Sequence, residues 1–203
     1  MSKILLPYEG RVEFESRFGQ RTLNGTNDWH NGIDLVGLDS KIIIAPCDGY
    51  ISSSKIITDK ENKTWEWGNY IRLDNEYGLQ IFLCHMSIRF VEEGEFVKTG
   101  QPLGIEGNTG YSFGNHCHFE IRSNGTVLNP CELLGIPNEW GIYMNEDENI
   151  TSHSWSKEAV QWALNEGILK GYEDGSLKLE KNITREEAIV LLHRAIKENG
   201  NFN

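Results

Sequence analysis

The chain lacks long apolar segments. None of its 203 residues falls in an uninterrupted apolar run of 18 or more, the length that a membrane-spanning helix needs. The start, residues 1–9, stops being apolar too early for the hydrophobic part of a signal peptide. We therefore expect neither a membrane partner nor export by the general secretory route.

Paired cysteine motifs and an excess of basic side chains are also absent. The four cysteines form no C-x-x-C pair, so we expect reduced, mostly buried thiols and no disulfide framework. The net charge is −11, and residues 1–150 carry most of it, with 22 acidic and 12 basic side chains. An acidic surface repels nucleic-acid phosphates and anionic lipid headgroups. The composition thus predicts no nucleic-acid partner and favours a neutral or cationic substrate.

Short apolar runs separated by turn signals fill the first two thirds of the chain. Dipeptides that end in glycine, such as Asp48-Gly49 and Asn124-Gly125, supply the positive φ angles that hairpins require. The sequence predicts a mainly β protein, with an antiparallel sheet folded over on itself. The strand candidates are residues 41–45, 50–57, 70–73, 79–84 and 116–122.

The pattern changes after Pro137. Residues 145–149 are polar and acidic, as in a linker. Apolar residues then recur at helical spacing in two stretches, residues 155–164 and 188–196, which predicts two amphipathic helices. Thr184 with Glu187 forms a capping-box signal for the start of the second helix. We predict a first domain over residues 1–137, a linker over 138–152 and a small helical module over 153–203.

Histidines in the β-rich part occur in patterns that suit metal binding. His30 and Asp34 are four residues apart in the run W-H-N-G-I-D, where glycine and asparagine disfavour a helix and favour an extended segment. His116 and His118 are alternate residues of a strand candidate, so both imidazoles face one side and Cys117 faces the other.

Two histidines and one aspartate would supply three zinc ligands and leave a fourth position to water. A zinc ion held in this way acidifies its water and polarises a carbonyl, which is hydrolytic chemistry. Alternatives stay open, because each pattern arises by chance and Cys117 could close the site as a structural ligand. His85 alone is typical of a half-buried strand histidine, and Trp65, Trp67 and Tyr111 either line a groove or pack.

Taken together, four blocks resemble the lysostaphin-type (LytM-like) zinc metallopeptidases over most of residues 1–137. The blocks are residues 16–21 with 30–34, residues 45–49, residues 82–87 and residues 97–121. The resemblance implies that His30, Asp34 and His118 bind one zinc ion. It implies that His85 and His116 stay off the metal, as general base and as hydrogen-bond donor to the transition state, in an order that physical reasoning leaves open.

This chain departs from the family pattern at two positions and keeps the five functional ones. Cys117 replaces an apolar residue, and Asn115 stands where proline is common. Because Cys117 faces away from the site, the first departure should be harmless. The second concerns local loop geometry.

Residues 153–197 resemble one S-layer homology module, a type that holds proteins to anionic polysaccharides of Gram-positive walls. The resemblance implies a wall-polymer contact for Arg185, whose planar guanidinium suits carboxylates. Proteins of this type generally use three copies of the module, whereas this sequence shows one. Homo-oligomerisation would bring several copies together. A purely structural helical module is the alternative.

The favoured hypothesis is a zinc-dependent endopeptidase that hydrolyses stem-peptide or cross-bridge bonds of bacterial peptidoglycan. The alternative is a wall-binding or regulatory protein with a structural metal site and no hydrolase activity. A hydrolase with a wall-binding module and no export signal resembles a phage or prophage lysin, made in the cytoplasm and acting on the wall after release.

Overall fold

The computed structural model describes residues 4–23, 25–62, 64–145, 159–160, 162–163, 166, 168–169 and 183–198. They belong to two compact units, residues 1–149 and 150–203. In the first unit the strands are β1 (Arg11–Ser16), β2 (Gly19–Leu23), β3 (Thr26–His30), β4 (Ile33–Gly37), β5 (Ile42–Ile44), β6 (Gly49–Ile56), β7 (Asn69–Asp74), β8 (Leu79–Cys84), β9 (Ile88–Arg89), β10 (Phe96–Val97), β11 (Pro102–Ile105), β12 (Cys117–Ser123), β13 (Thr126–Leu128) and β14 (Gly141–Met144). A 3-10 turn covers Trp65–Trp67, and the helix α1 covers Pro130–Leu134.

Most strands belong to one antiparallel sheet. Its order is β10-β6-β7-β8-β12-β4-β1-β14, and β13 pairs with β12 as a ninth strand. A three-stranded sheet (β5-β11-β9) and the β2-β3 hairpin complete the described part of the unit. The prediction of a mainly β, antiparallel fold is therefore confirmed.

Alternation along the strands builds one core. In β4 the side chains of Ile33 and Leu35 are buried, whereas Asp34 between them points to the opposite face. The same core takes Ile43 from β5 and Leu103 from β11, so it spans the large and the three-stranded sheets. Burying one such aliphatic side chain completely stabilises the folded state by about 1.5–3 kcal/mol relative to leaving it exposed.

All four cysteines are buried and free, as predicted; they are Cys47, Cys84, Cys117 and Cys131. Burial raises the pKa of the Cys47 thiol and of the Cys131 thiol to about 11. The thiols are therefore neutral at physiological pH, and they act as small apolar core residues.

The segment from His30 to Asp34 differs from its prediction. It is not one extended stretch, because β3 ends at His30 and β4 begins at Ile33. A β-carbon at Gly32 would lie 2.5 Å from the carbonyl oxygen of Phe119, so only glycine lets the chain enter the sheet so close to β12. His30 and Asp34 thus lie in strands of different sheets.

The large sheet continues beyond Pro137. Residues 141–144 form β14, which pairs with β1 from Arg11↔Met144 to Phe14↔Gly141. Part of the stretch predicted as a linker is thus a strand of the first unit.

In the second unit the described helix is α2 (Arg185–Glu198). The predicted capping box is confirmed, because the Thr184 N–H donates to Glu187 Oε2 at 2.8 Å and the Glu187 N–H donates to Thr184 Oγ1 at 3.1 Å. Much of the earlier predicted helix, including Trp155 and Leu164, lies outside the described residues. No helix in the described ranges has the length and apolar character to cross a bilayer.

We expect Thr184→Ala to destabilise the second unit by about 1 kcal/mol, because the hydroxyl satisfies one of the free N–H groups at the start of α2. Urea unfolding followed by far-UV circular dichroism measures this change. Thr184→Ser keeps the hydroxyl and is the matched control. An equal loss in both variants would contradict the capping role.

Candidate metal centre and active site

Three side chains from three strands meet at one point. His30 ends β3, Asp34 lies in β4 and His118 lies in β12, where it is the direct cross-strand partner of Asp34. His30 Nε2 lies 2.9 Å from His118 Nδ1, and Asp34 Oδ1 lies 3.2 Å and 3.0 Å from these two nitrogens. Within the described residues these three side chains form the group that could hold a metal ion.

The hydrogen bonds of His30 and His118 show which ring nitrogen carries the proton and which presents a lone pair to the other two side chains. In each ring the outer nitrogen, which points away from the three-residue cluster, has an acceptor as its partner. His30 Nδ1 lies 3.0 Å from the carbonyl oxygen of Arg17, and His118 Nε2 lies 3.3 Å from Glu120 Oε2. Both partners can only accept, so these outer nitrogens carry the protons. The inner nitrogens and the Asp34 oxygen then form a cluster of three acceptors, which requires a positive charge between them.

Zinc suits this donor set. Tetrahedral zinc with bonds of 2.0–2.1 Å places neighbouring ligand atoms about 3.3 Å apart, close to the 2.9–3.2 Å between the three atoms here. A proton on His118 is another way to supply this positive charge. Burial opposes a charge on both side chains, yet contacts with the histidines hold the pKa of Asp34 well below its usual range, and contacts with Asp34 and Glu120 raise the pKa of His118 to about 9.

Cys117 takes no part in this cluster. Its side chain is fully buried in the apolar core, on the opposite face of β12. The interpretation of Cys117 as a fourth, closing ligand is thus unsupported, and strand alternation placed this residue correctly.

His85 lies beside the three-residue cluster with one nitrogen free to act. Its Nδ1–H donates to the carbonyl oxygen of Thr109 at 2.8 Å, so in the neutral ring the lone pair is on Nε2. Burial is the main cause that lowers the pKa of His85 to about 3, which keeps the ring neutral. Its ring centroid lies 4.7 Å from that of His116 and 5.9 Å from that of His118.

His116 completes the group of four histidines. It precedes β12 and forms an isolated bridge with Gly107, so it lies just outside the strand that was predicted to contain it. Its Nδ1 donates to the carbonyl oxygen of Gly114 at 2.9 Å, and its Nε2 lies 3.5 Å from Asp34 Oδ1. Both off-cluster histidines therefore have Nε2 as the atom available for proton transfer.

The backbone at His85 is in the left-handed region, with φ of 65°, a conformation that non-glycine residues rarely adopt. Thr109 holds it, because its hydroxyl donates to the Met86 carbonyl at 3.0 Å and accepts from the Asn69 N–H at 2.9 Å. The next residue, Gly110, packs on Gly68, where a β-carbon would lie 2.5 Å from the Gly110 nitrogen.

The cluster opens into a cleft of about 730 Å³. Among its charged lining residues the carboxylates outnumber the cations: Glu15, Asp28 and Glu66 line the cleft together with Arg21, which pairs with Asp28 at 3.1 Å. Exposed aromatic side chains stand at its edge: Trp29, Phe113 and Trp140.

The three aromatic residues singled out in the sequence differ in their surroundings. Trp67 and Tyr111 line the cleft, whereas Trp65 packs on Tyr111 with ring centroids 6.0 Å apart. Trp67 also packs on Phe82, at 4.7 Å, so both of its predicted roles hold.

The sequence patterns missed several residues that support the centre. Glu120 follows His118 by two positions, so strand alternation alone could have placed it on the same face. Two other residues gave no comparable signal in the sequence. Arg21, whose Nη1 lies 3.4 Å from Asp34 Oδ2, reaches the site from the separate β2-β3 hairpin, and Thr109 reaches it from the loop between β11 and β12.

Comparison with known proteins gives two family matches. The model of peptidase family M23 matches residues 28–130, and the model of the S-layer homology domain matches residues 150–189. The five histidine and aspartate residues of the site all lie within the first match, and Arg185 lies within the second.

Two curated relatives carry different names. The chain is 33% identical over 124 residues to the DD-carboxypeptidase/endopeptidase Mpg of Neisseria meningitidis serogroup B, covering 60% of this chain and 27% of that protein. It is 30% identical over 128 residues to the murein hydrolase activator NlpD of Escherichia coli, covering 63% and 30%. Across the first curated relatives it matches, the chain spans 20–33% of their length.

A solved structure shares the fold. The catalytic domain of the antimicrobial peptidase lysostaphin from Staphylococcus simulans is 29% identical, with a TM-score of 0.51 over 60% of this chain and 91% of that domain. The family match covers half of the chain and contains the whole histidine and aspartate cluster. This chain therefore belongs to peptidase family M23.

Proposed function

We propose that the chain is a zinc-dependent endopeptidase that hydrolyses peptide bonds of bacterial peptidoglycan. The observation that carries the proposal is the convergence of His30, Asp34 and His118, beside two histidines that stay off the cluster, at the base of an open cleft. The substrate class is supported by the similarity to a DD-carboxypeptidase/endopeptidase and to lysostaphin, and by the S-layer homology match.

The inner atoms of the cluster would hold the metal: His30 Nε2, Asp34 Oδ1 and His118 Nδ1. A zinc ion bound there supplies an acidified water and a polarised scissile carbonyl. A zinc ion held by two neutral nitrogens and one carboxylate would keep a net positive charge. Both the acidification of the water and the polarisation of the carbonyl depend on this charge.

The protein moves the proton through its off-cluster histidines. Neutral His85 can accept a proton at Nε2, because Thr109 holds the proton of Nδ1 and orients the ring. The same atom can then return the proton to the leaving amine. His116 Nε2, oriented by Gly114 in the same way, can donate to the oxygen that gains charge in the transition state once the ring is protonated.

The acidic cleft favours substrates without excess negative charge. Amide-rich peptides and the amines released by their hydrolysis meet this condition, whereas anionic polymers do not. The chain's own side chains thus favour the peptide part of the wall as the segment that enters the cleft.

The second unit would hold the enzyme at the wall. Arg185 is exposed at the start of α2, where its guanidinium can reach an anionic secondary wall polysaccharide. We propose that a homo-oligomer brings several copies of the S-layer homology domain together at the wall. We further propose action on the wall after release from the cytoplasm, as in phage lysins.

A hydrolase activator without peptidase activity is the second candidate function, favoured by the similarity to the murein hydrolase activator. Such a protein needs no metal ligands and no proton acceptor. The three candidate ligands in one cluster, with His85 and His116 beside it, argue for the enzyme.

Purified cell walls test the proposal. We expect the protein to lower the turbidity of a wall suspension and to release new amino groups. A chelator should stop both, and added zinc should restore them. Mass spectrometry of the fragments then identifies the cleaved bond. Clearing that resists the chelator, or amine release only when another hydrolase is present, would contradict the proposal.

A further inference from the structure

A row of three polar residues lies behind the candidate metal centre. His118, Glu120 and Arg122 are alternate residues of β12, so their side chains share one face of the sheet. Glu120 Oε2 lies 3.3 Å from His118 Nε2, and Glu120 Oε1 accepts a hydrogen bond from Arg122 Nε. The carboxylate therefore joins the histidine to the guanidinium.

Burial fixes the position of this carboxylate. The Glu120 side chain is 1% exposed, and a buried charge is stable only when it is paired. Arg122 cannot swing away freely, because its guanidinium lies over two aromatic rings, 5.5 Å from the centroid of Trp67 and 5.2 Å from that of Phe82.

We propose that Glu120 is a positioning residue that sets the zinc affinity of the centre through His118. The inference rests on the zinc site of the proposed function. By accepting the Nε2–H, the carboxylate fixes the tautomer in which the Nδ1 lone pair points to His30 and Asp34. It also increases the basicity of that lone pair. Partners of this kind change metal affinity by about 10–100-fold.

Glu120→Gln tests this role with a readout other than activity. The amide oxygen can still accept from Nε2–H, but the negative charge is lost. We expect the zinc dissociation constant, measured by competition with a chromophoric chelator, to rise about tenfold. Glu120→Ala, which also loses the hydrogen bond, should raise it further.

The same sheet offers a matched control. Arg72 and Asp74 on β7 are also a guanidinium and a carboxylate two residues apart, joined at 2.6 Å, and Arg72 lies 5.8 Å from the Phe82 centroid. This pair contacts no histidine in the described residues. Asp74→Asn should therefore keep the zinc affinity of the unmodified chain.

A measurement on the unmodified chain keeps the inference testable if Glu120→Gln fails to fold. In the zinc-loaded protein, two-bond ¹⁵N–¹H spectra should show His118 protonated at Nε2. Protonation at Nδ1 would overturn the role of Glu120, as would unchanged zinc affinity in a folded Glu120→Gln. An unmodified chain that binds no zinc would instead overturn the proposed function itself.

Discussion

His118→Ala and Asp34→Ala are expected to abolish both zinc binding and wall hydrolysis. Each removes one of the three proposed ligand atoms, which lie 2.9–3.2 Å apart, and two remaining protein ligands hold zinc poorly. Metal analysis of the purified protein should fall from about one zinc per chain to near zero. Amine release from walls should fall to the level without enzyme.

Asp39→Ala is the matched control for the loss of a carboxylate. Asp39 follows β4 closely in sequence, but its side chain is exposed and pairs with Arg11 at 2.6 Å, away from the cleft. We expect this variant to keep zinc and activity. Full zinc content in His118→Ala would show that His118 is not a ligand.

His85→Ala should separate catalysis from metal binding. Because His85 lies beside the ligand cluster and not in it, we expect the variant to retain zinc and to lose about 10²–10⁴-fold in kcat. Zinc content and hydrolysis of soluble peptidoglycan fragments measure the two effects. His193→Ala, an exposed histidine on α2, controls for removal of an imidazole.

The roles of the two off-cluster histidines can then be assigned. If His85 and His116 act on the same proton, the double variant should lose little more activity than the more damaging single variant. Loss of the metal in His85→Ala, with its retention in His118→Ala, would show that the assigned roles are wrong.

Local sequence patterns predicted the parts of the site that a single strand determines. Alternation in H-x-H put His116 and His118 on one side and Cys117 in the core, which the structure confirms for Cys117. The family resemblance supplied the grouping of His30 and Asp34 with His118. Sequence spacing alone could not group these residues, because the pairing of β4 with β12 joins Asp34 to His118, 84 positions apart.

Other features depend on contacts between distant segments. No periodicity indicates that His85 adopts a positive φ angle, since Trp67, Asn69 and Thr109 impose it from neighbouring segments. The division of the His30–Asp34 segment between two sheets depends on Gly32 passing close to β12. The strand β14 was missed because residues 138–144 lack the apolar alternation of a buried strand, and their exposed apolar side chains lie at the edge of the sheet.

The close approach of Gly68 and Gly110 has an evolutionary consequence. Both glycines have positive φ angles, of 60° and 74°, and a β-carbon at either one would collide with main-chain atoms of the opposite segment. We expect a single mutation there to displace Thr109, and with it the proposed proton acceptor His85, while every proposed ligand atom stays in place. In this chain the proposed hydrolysis can therefore be lost through a mutation at a residue that has no side chain, while the proposed metal ligands stay intact.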